Sequence, residues 1–177
     1  MAESFAEAYN STSWSAIYSS PLRRTVETAR PICDRVRLKP EVRDALREIA
    51  YGAWEGLSKE TVAEKFHDDY EAWLANPALH APTGGELAVT VAERARQVIE
   101  EIRQRFSDGN VLVVSHKATI RIVLCDLLGI DVANFRYRLS CPVGSVTKVE
   151  FATNGPMLLT LADRSHLDER LKSLPGT

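Results

Sequence analysis

Ser19-Ser20-Pro21-Leu22-Arg23-Arg24-Thr25-Val26-Glu27-Thr28-Ala29 drops a strand directly into a helix start that carries two arginines. The strand runs from Trp14 to Tyr18, and the helix keeps Val26, Ala29, Cys33 and Val36 on one face at helical spacing. A helix start presents unpaired N–H groups and the positive end of a dipole. The forked charge of Arg24 placed there suits an oxyanion such as phosphate. Taken alone, the segment also reads as a solvated basic helix start, because short motifs of this kind recur widely.

Two further segments each bring a chemically useful side chain to the beginning of a loop. Val111-Leu112-Val113-Val114-Ser115-His116-Lys117-Ala118 is a continuous apolar run, the pattern of a strand buried on both faces, and it ends at a histidine before a helix. Leu46-Arg47-Glu48-Ile49-Ala50-Tyr51-Gly52-Ala53-Trp54-Glu55-Gly56-Leu57 is an aromatic, glycine-rich loop around Glu48, with a small core of its own. Ligands of open parallel sheets bind beyond the carboxyl ends of the strands. Arg24 and His116 both belong at such ends, and Glu48 is on a loop able to reach them.

These segments resemble the histidine phosphatases, also called the phosphoglycerate mutase-like superfamily. The matches are Ser20-Pro21-Leu22-x-Arg24-x-x-Glu27-Thr28-Ala29, Leu46-x-Glu48-x-x-x-Gly52-x-Trp54-Glu55-Gly56 and Val113-Val114-Ser115-His116, with Pro82-x-Gly84-Gly85-Glu86 as a softer fourth element. They follow the family's order and span roughly residues 14 to 167. The resemblance implies an α/β fold of three layers, a mostly parallel sheet with helices on both faces. It further implies that Arg24 binds phosphate, that Glu48 donates the proton to the leaving oxygen, and that His116 is the second histidine that holds the phosphoryl group. By the same resemblance no cofactor takes part.

The departures from the family pattern matter as much. No Arg-His-Gly, the motif that supplies the family's nucleophilic histidine on its first strand, occurs among the 177 residues. Glu3 to Tyr9 reads as the helix that follows that strand, so the chain reads as a single domain, 1–177, that begins inside the fold and is N-terminally incomplete. A fragment, a misplaced start codon and a natural loss of the strand all fit. Covalent phosphoryl transfer needs a group that accepts the phosphoryl. Among the other histidines, His67 and His80 read as surface residues and His166 as a capping or surface residue near the chain end. His116 alone has the right setting, and one histidine does not readily both attack and clamp the same group. Lys117 replaces the family's usual glycine. It reads either as a substrate-binding cation or as a solvated lysine in a first helical turn. Tyr51, Trp54 and Lys117 are the candidates for a specificity pocket.

Composition bounds the alternatives. The chain is long enough for one domain with a substantial core. With 45% hydrophobic and 26% charged residues it reads as an ordinary globular protein rather than a disordered or membrane chain. A net charge of −2 gives no general drive toward nucleic acid or anionic lipid. No apolar run approaches the roughly 20 residues of a membrane span and no signal-peptide pattern opens the chain, so it reads as cytoplasmic. Cys33, Cys125 and Cys141 are widely spaced, look like small core residues, and make no metal-ligand pattern.

The rest of the chain alternates strand and helix. Ser58 can cap a helix through about Lys65, and Asp68 or Asp69 can cap another through Ala75. After a Pro- and Gly-rich loop from Asn76 to Gly85, a long helix presents Leu87, Val91, Ala95, Val98, Ile102 and Phe106 on one face and ends at Asp108-Gly109-Asn110. Ala118 to Leu128 is a helix stopped by Gly129. Ser145–Phe151 and Met157–Leu161 flank Asn154-Gly155, a hairpin signal. By the resemblance, the absent strand is expected between Trp14–Tyr18 and Val111–Ser115. The two neighbours are then expected either to pair directly or to be covered by a second copy in a homodimer.

The short insertion between Glu48 and His116 favours a phosphatase over a phosphoglycerate mutase, an isomerase with a longer insertion. Two classes of function remain. One is a phosphohistidine-type phosphomonoester hydrolase acting on a small phosphorylated metabolite, with Arg24, Glu48 and His116 as catalytic residues and Lys117 and Tyr51 as substrate contacts. The other is a non-catalytic relative that binds phosphoesters or pairs with a complete subunit. Without the nucleophile, this chain itself is expected to have little or no activity.

Overall fold

The computed structural model describes residues 1–174; the last three positions of the domain read as 1–177 lie outside them. In chain order the elements are α1 (Ala2–Ala8), β1 (Trp14–Ser19), α2 (Arg23–Val36), β2 (Glu41–Val42), α3 (Lys59–Lys65), α4 (His67–Ala75), α5 (Ala88–Arg105), β3 (Asn110–Val114), α6 (Lys117–Leu128), α7 (Phe135–Arg138), β4 (Val146–Ala152), β5 (Gly155–Asp163) and α8 (Glu169–Lys172). Short 3₁₀ turns cover Asp44–Leu46, Gly52–Trp54 and Val132–Asn134. None of the described helices is long and apolar enough to cross a membrane.

Alternation along the strands builds the layers, since successive side chains point to opposite faces. On one face Ile17 of β1 and Leu112 and Val114 of β3 pack with Ala6 of α1 and Ala29, Ile32 and Cys33 of α2. On the other, Ala16, Tyr18, Val111 and Val113 meet Val98 and Ile102 of α5. The result is an α/β domain with a mostly parallel central sheet flanked by helices. Most of the predicted helical stripes are buried: Ala29 and Cys33 on α2, with Val26 and Val36 half-buried, and Val91, Ala95, Val98 and Ile102 on α5, which Leu87 and Phe106 flank as half-buried cap residues outside the helix.

The central sheet has the order β2-β1-β3 and is parallel throughout. β1 and β3 pair directly, from Trp14↔Asn110 to Ser19↔Val114, and the Ser20 amide extends the ladder by donating to the Val114 carbonyl at 3.1 Å. So the gap expected between these strands is absent, and direct pairing is the outcome of the two anticipated. The interruption lies elsewhere: β4 and β5 form a separate antiparallel pair around the Asn154-Gly155 turn, leaving β3 at the edge of its sheet. That position explains why Val111 to Val114 are only half-buried, against the expectation of a fully buried strand. Both faces are packed, but among the described residues one edge has no strand beside it.

Local signals fared unevenly. Ser58 caps α3 by accepting from the Thr61 amide at 3.2 Å, and Gly129 ends α6 with a left-handed φ of 68°. Asp68 and Asp69 are not caps. α4 begins at His67, both aspartates sit in its first turn, and Asp69 instead accepts from the Thr83 amide at 3.1 Å and from its hydroxyl, tying α4 to the Pro82–Glu86 loop. α5 ends at Arg105, and Asn110 opens β3 rather than closing the helix.

Candidate active site

Arg24 and His116 meet at the carboxyl ends of neighbouring parallel strands, as the sequence predicted. β1 leads through Ser20 to α2, which opens at Leu22 with no side-chain cap, and β3 leads through Ser115 to His116 at the start of α6. Arg24 Nε donates to His116 Nδ1 at 3.1 Å, and His116 Nε2 lies 2.8 Å from Ser20 Oγ. A guanidinium only donates, so Nδ1 must accept; the neutral ring then carries its proton on Nε2 and donates it to Ser20. Ser20 is positioned in turn by the Leu22 amide, which donates to its hydroxyl at 3.2 Å. Burial pushes the imidazole below its usual pKa; Glu48 pulls the other way, and Arg24 and Arg94 add to the lowering. The ring is 6% exposed, and both its nitrogens are engaged. In this arrangement neither is free to attack a phosphorus atom.

Glu48 lies at the other helix end of the site, without a hydrogen bond to His116. Its Oε1 accepts from the Thr119 amide and hydroxyl, both at 3.1 Å, and from the Ile49 amide at 3.1 Å, while Oε2 accepts from the Ala118 amide at 3.3 Å. The carboxylate thereby caps the open first turn of α6, where the dipole favours an anion. An incoming oxyanion can compete for the same amides and release Glu48.

The loop that carries Glu48 is fixed by residues the sequence reading did not single out. Arg94 of α5 forms a two-pronged pair with Glu86, Nε to Oε1 at 2.9 Å and Nη2 to Oε2 at 3.0 Å. It also donates to the carbonyls of Ala45 at 2.5 Å, Arg47 at 3.0 Å and Glu48 at 3.3 Å. Burial raises the Glu86 carboxyl, but Arg94 and the Ala50 amide outweigh it and hold the group below its ordinary range. Ser115 Oγ donates to the Leu46 carbonyl at 2.7 Å, and the Thr119 hydroxyl shares its one proton between Glu48 Oε1 and the Arg47 carbonyl, the latter at 2.8 Å. The available signal was an arginine placed between Val91, Ala95 and Val98, beside the apolar stripe of α5 rather than on the solvent side.

The two glycine-bearing segments meet backbone to backbone. Gly52 has φ +54°, and a Cβ there would lie 2.3 Å from the Thr83 carbonyl oxygen. Only glycine allows this approach. The Ala53 amide donates to that same oxygen at 2.9 Å, so the Pro82–Glu86 element buttresses the Glu48 loop.

The remaining candidates divide. Tyr51 is half-buried and meets Trp73 edge-on, with ring centroids 6.0 Å apart. Lys117 is exposed at the first position of α6. Trp54 does not line a pocket: it is 5% exposed, packed with Val62, Phe66, Tyr70 and Trp73 in the core of the helical insertion. His67 and His80 are exposed. His166 is neither a cap nor free on the surface; it is half-buried, edge-on to Phe5 at 5.9 Å and to Tyr9 at 6.1 Å. Cys33 and Cys125 are buried, and burial pushes the Cys125 thiol up to about 11; Cys141 is only half-buried. Among the described residues, no group of three or more His, Cys, Asp or Glu side chains is placed to hold a metal ion.

A family model described as the histidine phosphatase superfamily (branch 1) matches residues 1–164. Phosphoserine phosphatase 1 of Hydrogenobacter thermophilus is 35% identical over 153 residues, covering 86% of this chain and 72% of that protein. A bifunctional protein of Mycobacterium tuberculosis is 32% identical over 151 residues, which are 85% of this chain but 41% of that longer protein. Among solved structures, a mycobacterial glucosyl-3-phosphoglycerate phosphatase with inorganic phosphate superposes with a TM-score of 0.84 at 27% identity, covering 94% of this chain and 86% of that one.

Proposed function

Because this chain belongs to the histidine phosphatase superfamily, an enzyme family, we propose that it carries the phosphoryl-holding part of a phosphomonoesterase site, with Arg24 and His116 binding the phosphoryl group and Glu48 facing the leaving oxygen. The observation that carries this reading is the Arg24–His116–Ser20 constellation at the ends of β1 and β3. Arg24 has no carboxylate within 4.0 Å among the described residues, whereas Arg43, Arg47, Arg94, Arg96 and Arg105 all have one. Its charge is therefore available to an oxyanion. A bound phosphate would replace the contact between Arg24 and Nδ1, lie against the open start of α2, and free the α6 amides from Glu48. Glu48, once released and protonated, is then placed to donate to the departing alkoxide. Phosphatase names among the similar proteins support hydrolysis over phosphoryl transfer between hydroxyls.

Residues 1–177 hold no Arg-His-Gly, and His116, the histidine beside Arg24, is assigned to holding the phosphoryl group rather than attacking it. The 177-residue chain is accordingly proposed to bind phosphoryl groups with little or no turnover. Hydrolysis of an aryl phosphate, with His116→Ala as control, tests this together with calorimetric binding of inorganic phosphate to the chain and to Arg24→Ala. Phosphate binding lost in Arg24→Ala, with no turnover above the control, is the expected result. Turnover abolished by His116→Ala overturns the supporting role given to His116, and phosphate binding indifferent to Arg24→Ala overturns the site.

A further inference from the structure

Ser20 is held at its amide, its carbonyl and its hydroxyl. The amide donates to the Val114 carbonyl at 3.1 Å, which ties the end of β1 to the end of β3 two residues before His116. The carbonyl accepts from the Ser19 hydroxyl at 3.0 Å and, at 3.1 Å, from the Thr25 hydroxyl, which shares its proton with the Leu22 carbonyl at 2.7 Å. The hydroxyl oxygen accepts from the Leu22 amide at 3.2 Å and lies 2.8 Å from His116 Nε2. Ser20 is 0% exposed. Two strand ends and the first turn of α2 therefore fix this oxygen, and the imidazole is set against a rigid point.

The two ring nitrogens of His116 have different neighbours. Nδ1 faces Arg24, on the side from which a phosphoryl group would displace the guanidinium, and Nε2 faces Ser20. To donate to an oxyanion, Nδ1 must carry a hydrogen. A ring that already holds Nε2–H gains that hydrogen by taking up a proton and becoming an imidazolium, and the Ser20 oxygen accepts from Nε2–H in the neutral and the charged ring alike. Without that oxygen, Nε2–H would be a buried donor with no partner, which disfavours both the Nε2–H tautomer and the imidazolium. Burial opposes the imidazolium most strongly, Glu48 from its loop favours it, and Arg24 of α2 and Arg94 of α5 add to the opposition. Lys117, exposed on α6, follows His116. Once Arg24 has turned to the phosphoryl group, the hydrogen bond to Ser20 is what still distinguishes one nitrogen from the other.

Resting on Arg24 and His116 as the phosphoryl-holding pair, we propose that Ser20 is a positioning residue that directs the proton taken up with a phosphoryl group to Nδ1 of His116, the nitrogen that Arg24 vacates. Phosphoryl affinity is thereby coupled to pH, because the ligand is held through a charged ring that needs an acceptor at its far nitrogen. The only bond formed is Nδ1–H, and its proton comes from solvent. Ser20 keeps its own proton and does not touch the phosphoryl group, since a serine set against Nε2 cannot reach a group held at Nδ1 across the ring.

Nitrogen-15 NMR of the histidine-labelled 177-residue chain, with His116→Ala to assign the signals, reads the two nitrogens directly. The expected result at neutral pH is Nε2–H alone without inorganic phosphate and both nitrogens protonated with it. Calorimetry of inorganic phosphate binding across the range in which histidine titrates supplies the second readout. Ser20→Ala should bind phosphate about tenfold or more weakly, the scale of one hydrogen bond to a charged group. Its proton uptake, beyond that of the phosphate itself, should fall from up to about one per site to near zero, leaving an affinity almost flat with pH. Ser20→Thr, which keeps the hydroxyl, should recover the pH dependence at least in part. A residue that merely supported the fold would weaken binding without altering its pH dependence. An Nδ1–H tautomer in the phosphate-free chain overturns the assignment whether or not the variants fold, and so does a pH dependence that survives in Ser20→Ala. If the unaltered chain binds no inorganic phosphate, the phosphoryl-site reading fails first and takes this inference with it.

Discussion

Replacing Arg94 by methionine should cost far more than its place on a helix suggests. Arg94 and Glu86 are each only 14% exposed. The substitution removes two hydrogen bonds to the carboxylate and three to the carbonyls of the Glu48 loop. Removing one partner of a buried pair typically costs about 3–5 kcal/mol, because the other charge stays behind uncompensated. Glu86 would keep the Ala50 amide at 2.9 Å and Arg47 at 3.9 Å, which places the expectation near the lower end, about 3 kcal/mol. That is a large share of the roughly 5–15 kcal/mol that holds a domain together, and corresponds to a melting-temperature drop of about 6–12 °C for a chain of this size. Urea denaturation of the chain, of Arg94→Met, of Glu86→Gln and of the double variant measures it. The double variant should be more stable than the sum of the single losses by at least about 1 kcal/mol, since the two side chains share one network. The pH dependence has a definite sign. Glu86 is held below its ordinary range in the folded state, so its contribution is complete above the unfolded carboxyl's pKa and is lost as pH falls through the lower folded value. The Glu86→Gln variant should therefore show a flatter acid limb than the unaltered chain. A loss below about 1 kcal/mol in Arg94→Met, or strict additivity in the double variant, refutes the view that this pair holds the Glu48 loop in place.

Four further outcomes are expected. Gly52→Ala adds a Cβ 2.3 Å from the Thr83 carbonyl oxygen at a positive φ, and should cost about 2–5 kcal/mol, whereas Gly56→Ala, at φ +77° with nothing within 4 Å, should cost only about 1–2 kcal/mol by denaturant unfolding. Arg37 ends α2 at φ 59°, a left-handed cap that glycine adopts without strain, so Arg37→Gly should stabilise by about 0.5–1 kcal/mol. Phosphate binding should draw in up to about one proton per site, beyond that of the phosphate itself, because an adjacent dianion favours the imidazolium of a His116 whose pKa is otherwise lowered by burial. Calorimetry at neutral pH in buffers of different ionisation enthalpy measures the uptake, and affinity should fall as pH rises. Without phosphate the same lowered pKa makes the folded chain lose stability as pH falls from about 6.5 toward the folded value.

Much of the protein was legible in the chain because its signals are local. The β1–α2 and β3–α6 junctions, the two apolar helix stripes, the Ser58 cap and the Asn154-Gly155 hairpin each depend on residues within one turn or one strand of each other, and spacing alone exposes them. The resemblance of four short segments to a phosphatase family put Arg24, Glu48 and His116 on one list, and the fold brings Arg24 into contact with His116 and places Glu48 within electrostatic reach. What remained hidden depends on contacts between distant parts of the chain. Direct pairing of β1 with β3, one of the two outcomes the resemblance left open, joins residues more than 90 positions apart, and no local pattern chooses between the two. Trp54 has the composition of a pocket residue, yet the helical insertion folds around it and buries it. Arg94, on a helix, and Arg136, in a four-residue turn of helix, look like ordinary surface cations in sequence. Tertiary packing alone sets Arg94 beneath the Glu48 loop and Arg136 on Trp73, because the desolvation that gives a charge its strength comes from neighbours that the chain supplies only once folded.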